Sequence, residues 1–502
     1  MNRHALAIVL TIALVAGTGF AAEPREHQLT IVVLGRDGKP AGDHRLFLAG
    51  YDTGAEQTPS DPSGRVRITT PRGRYYLHAT IESGERTDRV TAPWLAVHRD
   101  TTITLDARTT GPIDVTVPHR GAKLFNGVIG GDMITRTGVP RVIIPGLPLQ
   151  DFARVGTAQV GPDAPAGRFV GSMQVTLAKP DPDGGFLDSP YSYTLAWFTP
   201  GRPYTGSRAV GREQLAEVRT SHRPLGGHTR ADKLALAAHS RQPQARIPFG
   251  APLPVRLPGV RTEYYTTTGV EWMIGLEPEF DPQNPPSWAQ QAVARRYEAG
   301  QRYSETWNGG GVFGPSLPPA DPPGYAKAGP NGLSIRVPMH GTAPDVMGFI
   351  TADRALTAVR HNGLEVCISD RAGSCYAEGA PRPGVYRMST EVEQSQTPFS
   401  PKIVATWTFR YDGGDTTVAL PIQVIRFDPA DRLNITVQRN PGAAHAAVVD
   451  SHVEVSYDDG VTWQHELTKP HDGWVSLRGR VVDSAGNTAE LTVIRAYRAS
   501  SV

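Results

Sequence analysis

The chain has 502 residues and a formal net charge of only +2, with 44 prolines and 53 glycines. Single hydrophobic cores rarely grow beyond about 250 residues, so this length predicts about three to four domains. The nearly neutral charge argues against a protein that binds nucleic acid through its phosphates. Proline and glycine at turn-like spacings favour many short strands over long helices. We therefore expect an all-β protein of several β-sandwich domains in tandem, with few short helices.

Residues 1–22 match a secretory signal peptide. Arg3 and His4 form a short basic start, residues 5–16 are apolar, and small residues lead to a cleavage site near Ala22. This apolar run is shorter than the roughly 20 residues that a bilayer span needs, and no later segment comes close. We expect a secreted, extracellular chain that has no transmembrane segment once the signal is removed.

The chain contains two cysteines, Cys367 and Cys375, separated by the end of a strand and a turn. A metal site would require two more ligands at short spacing, and the sequence offers none there. In an oxidising compartment the pair is expected to form a disulfide that staples a hairpin.

Residues 26–106 show a characteristic order of turns and strands. A turn at 37–40 reads Asp-Gly-Lys-Pro, a strand pattern Gly-x-Val-x-Ile covers 64–68, and Pro-x-Gly-x-Tyr-x-Leu covers 71–77. This order resembles the carboxypeptidase regulatory-like, transthyretin-like β-sandwich of secreted proteins. The resemblance implies a passive module for spacing or docking.

The remainder divides at proline-rich connectors into three further ranges. Residues 111–257 and 261–398 read as β-rich domains, the second of which contains the cysteines, and residues 402–502 read as an immunoglobulin-like β-sandwich. Residues 230–239 form the best helix-like segment. Residues 456–463 match one Asp-box turn, whereas sialidase-type propellers contain several, so we interpret this one as a sandwich turn.

A set of aromatic and glycine-containing motifs extends over most of the chain. The motifs are Tyr264–Tyr265, Arg296–Tyr297 with Gly300 and Tyr303, Trp307–Asn308 with 312–315, 407–409, 456–460 and 494–497. The set is similar to the non-catalytic C-terminal region of large secreted subtilisin-like serine peptidases of high-GC Gram-positive bacteria. The resemblance implies non-covalent binding of an extracellular polymer, a cell-wall component or a partner peptidase.

The catalytic motifs of such a peptidase are present only as fragments. Asp52 lies in Asp-Thr-Gly, His340 in a His-Gly-Thr that continues with Ala-Pro, and Ser316 follows a proline. A triad needs an activated serine, a base within hydrogen-bond reach and an acid that orients the base. We therefore predict no catalytic residues and no cofactor.

Two alternative functions remain open at this point. One is a secreted hydrolase, either a serine peptidase or a glycosidase, and for the latter Glu277, Glu279 and Asp281 supply paired carboxylates. Prolines on both sides favour an exposed acidic loop instead. The other is a purely structural surface or adhesion protein.

Two groups of residues are candidates for ligand binding. Asp181, Asp183 and Asp188 surround a glycine pair and form a weak calcium candidate, although their spacing does not complete an EF-hand loop. No other metal site is predicted.

Four aromatic residues, Trp288, Trp307, Tyr297 and Tyr303, are candidates for stacking on a sugar or clamping an extended peptide. Core packing is the alternative for each of them. Trp288 and Trp307 are expected to be exposed, because they lie beside proline-rich and glycine-rich loops.

Overall fold

The computed structural model describes most of the chain beyond residue 25. The described residues are 26–135, 140–247, 250–279, 287–309, 312–428, 434–444, 446–465 and 473–499. Within these ranges the helices are limited to three short 3-10 segments, Ala107–Thr109, Phe152–Arg154 and Arg212–Gln214. None of the described helices has the length and apolar character needed to cross a membrane. The all-β prediction is confirmed, and the predicted signal peptide lies outside the described residues.

Most of the first twelve strands build an N-terminal β-sandwich. They are β1 (Glu26–Leu34), β2 (His44–Gly50), β3 (Glu56–Gln57), β4 (Arg65–Pro71), β5 (Gly73–Ser83), β6 (Arg86–Val97), β7 (Thr101–Asp106), β8 (Gly111–Pro112), β9 (Val115–Thr116), β10 (Lys123–Ile134), β11 (Pro140–Leu149) and β12 (Val155–Gln159). One sheet has the order β4-β1-β7 and the other β3-β2-β5-β6-β12-β8. Alternating side chains such as Leu29, Ile31, Leu77 and Val90 fill the core between these sheets.

Most of the following strands form two larger sheets in the middle of the molecule. They are β13 (Phe169–Ala178), β14 (Tyr191–Pro200), β15 (Arg208–Ala209), β16 (Leu215–His222), β17 (Arg230–His239), β18 (Gln242–Arg246), β19 (Leu253–Arg256), β20 (Gly259–Thr266), β21 (Val270–Pro278), β22 (Trp288–Ala292), β23 (Arg302–Trp307), β24 (Ala326–Gly329), β25 (Gly332–Arg336) and β26 (Val346–Ile350). The first middle sheet has the order β11-β10-β13-β14-β20-β16-β23. The second has the order β18-β17-β21-β22-β26, with β19 also beside β17.

The last strands complete a C-terminal sandwich. They are β27 (Arg354–His361), β28 (Leu364–Ser369), β29 (Ser374–Glu378), β30 (Gly384–Glu393), β31 (Lys402–Tyr411), β32 (Val418–Ala419), β33 (Gln423–Asp428), β34 (Asn434–Arg439), β35 (Val448–Ser456), β36 (Trp474–Asp483) and β37 (Thr488–Arg498). Its sheets have the orders β29-β25-β24-β32 and β28-β27-β30-β31-β37-β36-β35, and β33 pairs with β34. Trp407 and Phe409 lie in the core that these sheets share.

Strand pairing crosses the domain boundaries predicted from the sequence. β20 follows the boundary at 257/261 but pairs with both β14 and β16, which precede it. β30 and β31 flank the boundary at 398/402 and pair along their whole length. β12 lies far beyond residue 106 and adds to the N-terminal sandwich beside β6. The proline-rich connectors therefore lie between strands that belong to the same sheet.

The helix-like segment at 230–239 is a strand, so that expectation is wrong. β17 pairs with β21 from Ala231–Pro278 to His239–Val270, and with β18 and β19 on its other side. Its alanines and leucines have high helix propensity, but a central position in a sheet outweighs a preference of about 0.5 kcal/mol per residue.

The two cysteines form the predicted disulfide, but it does not staple a hairpin. Cys367 lies on β28, and Cys375 lies on β29. β28 pairs with β27, whereas β29 pairs with β25 in the other sheet. The disulfide therefore connects two sheets of the C-terminal sandwich.

A buried ion pair connects the two middle sheets. Lys233 Nζ on β17 lies 2.5 Å from Glu263 Oε2 on β20. The Thr220 and Tyr265 hydroxyls donate to the same oxygen at 3.1 and 2.9 Å. The ammonium group also lies 5.4 Å from the centre of the Trp307 ring. Donors from three strands thus satisfy a carboxylate that is almost inaccessible to solvent, which is the condition for tolerating a buried charge.

The Asp-box turn has the geometry that its sequence predicts. Gly460 has a φ of 88°, in the left-handed region that favours glycine. Asp458 accepts the backbone N–H of Thr462 at 2.8 Å, and Ser456 Oγ accepts that of Gly460 at 2.8 Å. Trp463 Nε1 donates to the Gly460 carbonyl at 3.0 Å and closes the turn. The motif has a structural role here.

Candidate binding groove

A groove of about 660 Å³ opens beside the edge of the second middle sheet. One wall is β26, the opposite wall is the segment 336–340 at the end of β25, and the turn 370–372 between the cysteines contributes to the rim. The groove thus lies where the middle sheets meet the C-terminal sandwich. Its volume is within the range of sites that hold small ligands or several side chains of a peptide.

β26 is an edge strand, because the described order of its sheet ends there. On the side away from β22, the Gly348 carbonyl accepts the His340 N–H at 3.3 Å, and the Val346 carbonyl accepts the Ser316 hydroxyl at 2.9 Å. Beyond these contacts the strand continues to Ile350 along the groove. An edge strand presents backbone groups that a further extended chain can pair with.

The inner surface of the groove is mainly apolar. Met347 and Phe349 alternate along β26 with residues that point into the core, so both face the groove. Val337 and Met339 line the opposite wall. Phe349 is 53% exposed, which is unusual for a phenylalanine with neighbouring apolar side chains. The surface therefore offers contacts for alternate side chains of an extended ligand.

Two cations lie at the rim. Arg336 and Arg371 both line the groove, and neither guanidinium forms a hydrogen bond or ion pair within the described part of the chain. Of the groove-lining residues in the described ranges, Asp370 is the one that is acidic. A guanidinium presents a planar fork of donors that matches a carboxylate, so the rim favours acidic groups on a ligand.

His340 lies at the base of the groove and is neutral. Its ring is 2% exposed, and burial lowers the pKa of the imidazole to about 4. Nε2 has no hydrogen-bond partner among the described residues. The His340 carbonyl accepts from Gln290 Nε2 at 2.9 Å, which fixes the backbone at this point. An unpaired buried nitrogen is costly, and a ligand that supplied a partner would relieve this cost.

The catalytic fragments do not converge. Asp52 pairs with Arg168 at 3.0 Å in the N-terminal part of the molecule. Ser316 donates to the Val346 carbonyl and is fully buried, and His340 Nε2 is without a hydrogen-bond partner in the described ranges. No hydrogen bond links the three side chains among the described residues.

A different serine and histidine do meet. Ser287 Oγ lies 3.3 Å from His228 Nε2, and the His228 ring packs edge-on against Trp288. Within the described ranges, no carboxylate hydrogen-bonds to His228, so the third member that orients a catalytic base is not part of this contact.

The expected exposure of the tryptophans is wrong. Trp288 and Trp307 are 0% and 3% exposed, because both belong to the core of the middle sheets. Tyr297 is also buried, and its hydroxyl donates to Glu305 at 2.8 Å. Tyr303 is half-buried and packs edge-on against Tyr297. Because these rings pack into the core of the middle sheets, the buried rings leave no face for stacking on a ligand.

The aspartates of the calcium candidate are engaged in other contacts. Asp183 accepts the Gly185 N–H at 3.0 Å, and Asp181 accepts the Asp188 N–H at 3.1 Å, as in an ordinary turn. Asp188 pairs with Arg256 through both carboxylate oxygens. No group of three potential metal ligands occurs among the described residues.

The acidic loop places its carboxylates at the end of β21. Glu277 is partly buried there, and burial together with the charge of Asp232 raises its pKa. Glu279 pairs with Arg230 at 3.5 Å on the surface. Asp281 lies outside the described residues.

Sequence reasoning missed the groove residues. The segment 346–350 reads Val-Met-Gly-Phe-Ile and has no polar residue on either face, so its sequence does not distinguish Met347 and Phe349 from core side chains. Arg336 and Arg371 are 35 positions apart in the sequence, and only the pairing of β25 with β29 brings their segments together.

Comparisons with known proteins give distant similarities. No protein-family model matches the chain, and no curated protein matches it. Among solved structures, the TIE protein of Bacillus anthracis is 11% identical with a TM-score of 0.14, and the alignment covers 56% of this chain and 50% of that protein. The chain thus spans half the length of that relative. BcpA, the major pilin subunit of Bacillus cereus, is 9% identical with a TM-score of 0.14, and the alignment covers 56% of this chain and 99% of that protein. A streptococcal ancillary pilin is 10% identical with a TM-score of 0.13, and the alignment covers 56% of this chain and 99% of the pilin.

Proposed function

We propose that the protein is an extracellular, non-catalytic binding module that holds an extended segment of a partner protein in the groove beside β26. The observation that carries this proposal is the combination of an edge strand, two outward apolar side chains and two unpaired guanidinium groups at one site, all within the described residues. The N-terminal signal pattern and the disulfide support an exported protein, because disulfides persist in oxidising compartments.

The chemistry of the groove defines the partner segment. A chain added to a sheet edge gains backbone hydrogen bonds, and pockets for alternate side chains provide specificity. Met347 and Phe349 favour apolar side chains at every second position, and Arg336 and Arg371 favour acidic residues between or beside them. The expected ligand is therefore an extended segment with alternating apolar and acidic residues.

Under this proposal the protein has a role like that of the accessory region of secreted subtilisin-like peptidases, which its motifs resemble. In that setting the partner is a peptidase or another extracellular protein, and the groove is the docking site. The alternative of a secreted hydrolase gains no support from Asp52, His340 and Ser316, whose side chains make separate contacts.

A synthetic peptide of alternating valine and glutamate tests the proposal by fluorescence anisotropy. We expect saturable binding that weakens as salt is added, because salt screens exposed charges, and weaker binding of the matching valine and lysine peptide. Phe349→Ser combined with Arg371→Gln should weaken binding by about tenfold or more.

Val449→Ser is the matched control, since Val449 is 62% exposed on β35, an edge strand of another sheet. Equal affinity of the groove variant and this control would refute the assignment of the groove. The absence of saturable binding of either peptide would refute the extended-segment ligand.

A further inference from the structure

A second cavity, of about 450 Å³, lies on the N-terminal sandwich. It is enclosed between the outer face of the sheet that contains β2, β5 and β6, and residues 146–148 of β11, which cross above this face. The cavity is separate from the groove at β26, because no described residue lines both.

Strand register explains why polar side chains meet there. Phe47 lies opposite His78, and Thr80 lies opposite Arg89 on the next strand. Because side chains alternate between the faces of a sheet, these residues share the outer face. The intervening residues, such as Leu77, point into the sandwich core. In a free-standing sandwich this outer face would be solvated, but here β11 covers it.

Covering this face has left polar groups buried. His78 is 3% exposed, and its Nδ1 has no hydrogen-bond partner among the described residues. Arg89 is 5% exposed, and its Nη1 donates to the Ile129 carbonyl at 3.4 Å. A buried polar group without a partner destabilises the fold unless water or a ligand supplies one. The cavity has room for such a ligand.

The electrostatics of the cavity favour a negative group. Among the described residues that line it are two arginines and two histidines but no acidic residue. Arg45 is exposed and pairs with Glu82 at 3.0 Å, whereas Arg89 is buried, so the guanidinium of Arg89 is the main positive group inside the cavity. Burial and the charge of Arg89 hold the pKa of His78 well below its usual value, so the ring is neutral and one of its nitrogens carries a hydrogen to donate.

We propose that this cavity binds the oxyanion of a small ligand, a carboxylate or a phosphate ester carried on a polar ring such as an acidic sugar. The Arg89 guanidinium pairs with the oxyanion, and the His78 N–H donates to it. The hydroxyl of Thr80 lies on the same face, and Phe47 provides an apolar wall for the ring of the ligand.

Isothermal titration calorimetry on the full chain separates the two sources of the oxyanion. The probes are glucuronate, which carries a carboxylate, glucose 6-phosphate, which carries a phosphate ester, and uncharged glucose. We expect saturable heat from one or both acids and none from glucose. No saturable heat from either acid, or equal heat from glucose, would overturn the proposal.

His78→Phe preserves the ring packing against Phe47 but removes the N–H donor. It should weaken binding of the active probe by about tenfold or more, whereas His98→Phe, at an exposed position of the same sandwich, should leave the affinity unchanged. If both variants bind like the wild type, the site is elsewhere.

Nuclear magnetic resonance of the wild-type protein covers the case in which the His78→Phe chain does not fold. The ring nitrogen signals of His78 should shift as the probe is added, and those of His98 should not. Unchanged His78 signals at saturation would refute the assignment of the cavity. Because the groove at β26 is not involved, the result of this experiment does not depend on whether the groove binds a peptide.

Discussion

At the scale of single residues, the informative positions are buried polar groups that the sequence does not distinguish. Lys233 and Glu263 are 30 positions apart, and either would ordinarily be assigned to the surface. His78 and His340 look like any of the 15 histidines. Their burial follows from which strands cover them, so it could not be inferred from their neighbours in the sequence. The candidate sites were therefore the part of the molecule that sequence reasoning recovered least.

His340 gives a residue-scale prediction about acid stability. Its pKa is about 4 in the folded chain, against about 6.5 for an exposed imidazole. Between these values the unfolded chain binds a proton that the folded chain does not, so acidification from pH 6.5 to 4 destabilises the fold. This protonation lowers the free energy of unfolding by about 3 kcal/mol at pH 4, and the His340→Leu chain should not show that decrease.

The measurement is the Tm of the wild type and of the His340→Leu chain at pH 7 and pH 4. Other buried histidines contribute equally to both proteins, so the difference between the two isolates His340. Parallel dependence of Tm on pH would show that the imidazole is not buried in its neutral form.

At the scale of elements, strand content could be predicted but strand partners could not. Alternating apolar residues and turn signals identify strands locally, as at 28–34 and 191–198. Pairing depends on distant segments: β16 lies beside β23, which follows it by about eighty residues along the chain. The strand at 230–239 shows the same limit, since its partners and not its composition determine its conformation.

The disulfide gives the element-scale prediction. The disulfide joins cysteines with a sequence separation of only 8. Closing so short a loop removes little entropy from the unfolded chain, so we expect it to stabilise the fold by about 2–3 kcal/mol. Because it connects β28 with β29 in different sheets, we expect reduction to loosen the C-terminal sandwich and leave the N-terminal sandwich unchanged.

Hydrogen–deuterium exchange with and without a reducing agent checks this expectation. Faster exchange should be confined to β27 to β30 and to β25, and a chain with both cysteines changed to serine should behave like the reduced protein. Uniformly faster exchange along the whole chain would contradict a local role.

At the scale of the whole molecule, the division into units predicts which fragments fold. A fragment of residues 26–257 lacks β20, so β14 and β16 lose the strand between them. It also lacks Glu263, which leaves Lys233 buried without this counter-charge. Removing one partner of a buried ion pair lowers the stability of the fold by about 3–5 kcal/mol. A fragment of residues 26–352 retains both middle sheets.

We expect the longer fragment to show a cooperative thermal transition by circular dichroism and the shorter one to show none. The full chain is the reference for the position of the transition. A cooperative transition in the 26–257 fragment would indicate that the connector at 257/261 separates independent folding units after all.

The path of the chain around the groove has a mechanical consequence. The backbone leaves the middle sheets after β23, contributes β24 and β25 to the C-terminal sandwich, returns with β26, and departs again with β27. Tension applied between the two units would load three crossings at once, and separating them would require strands to be pulled out of sheets. Because the two walls of the groove beside Phe349 are joined through these crossings, we expect the groove to keep its shape until strands are withdrawn from the sheets.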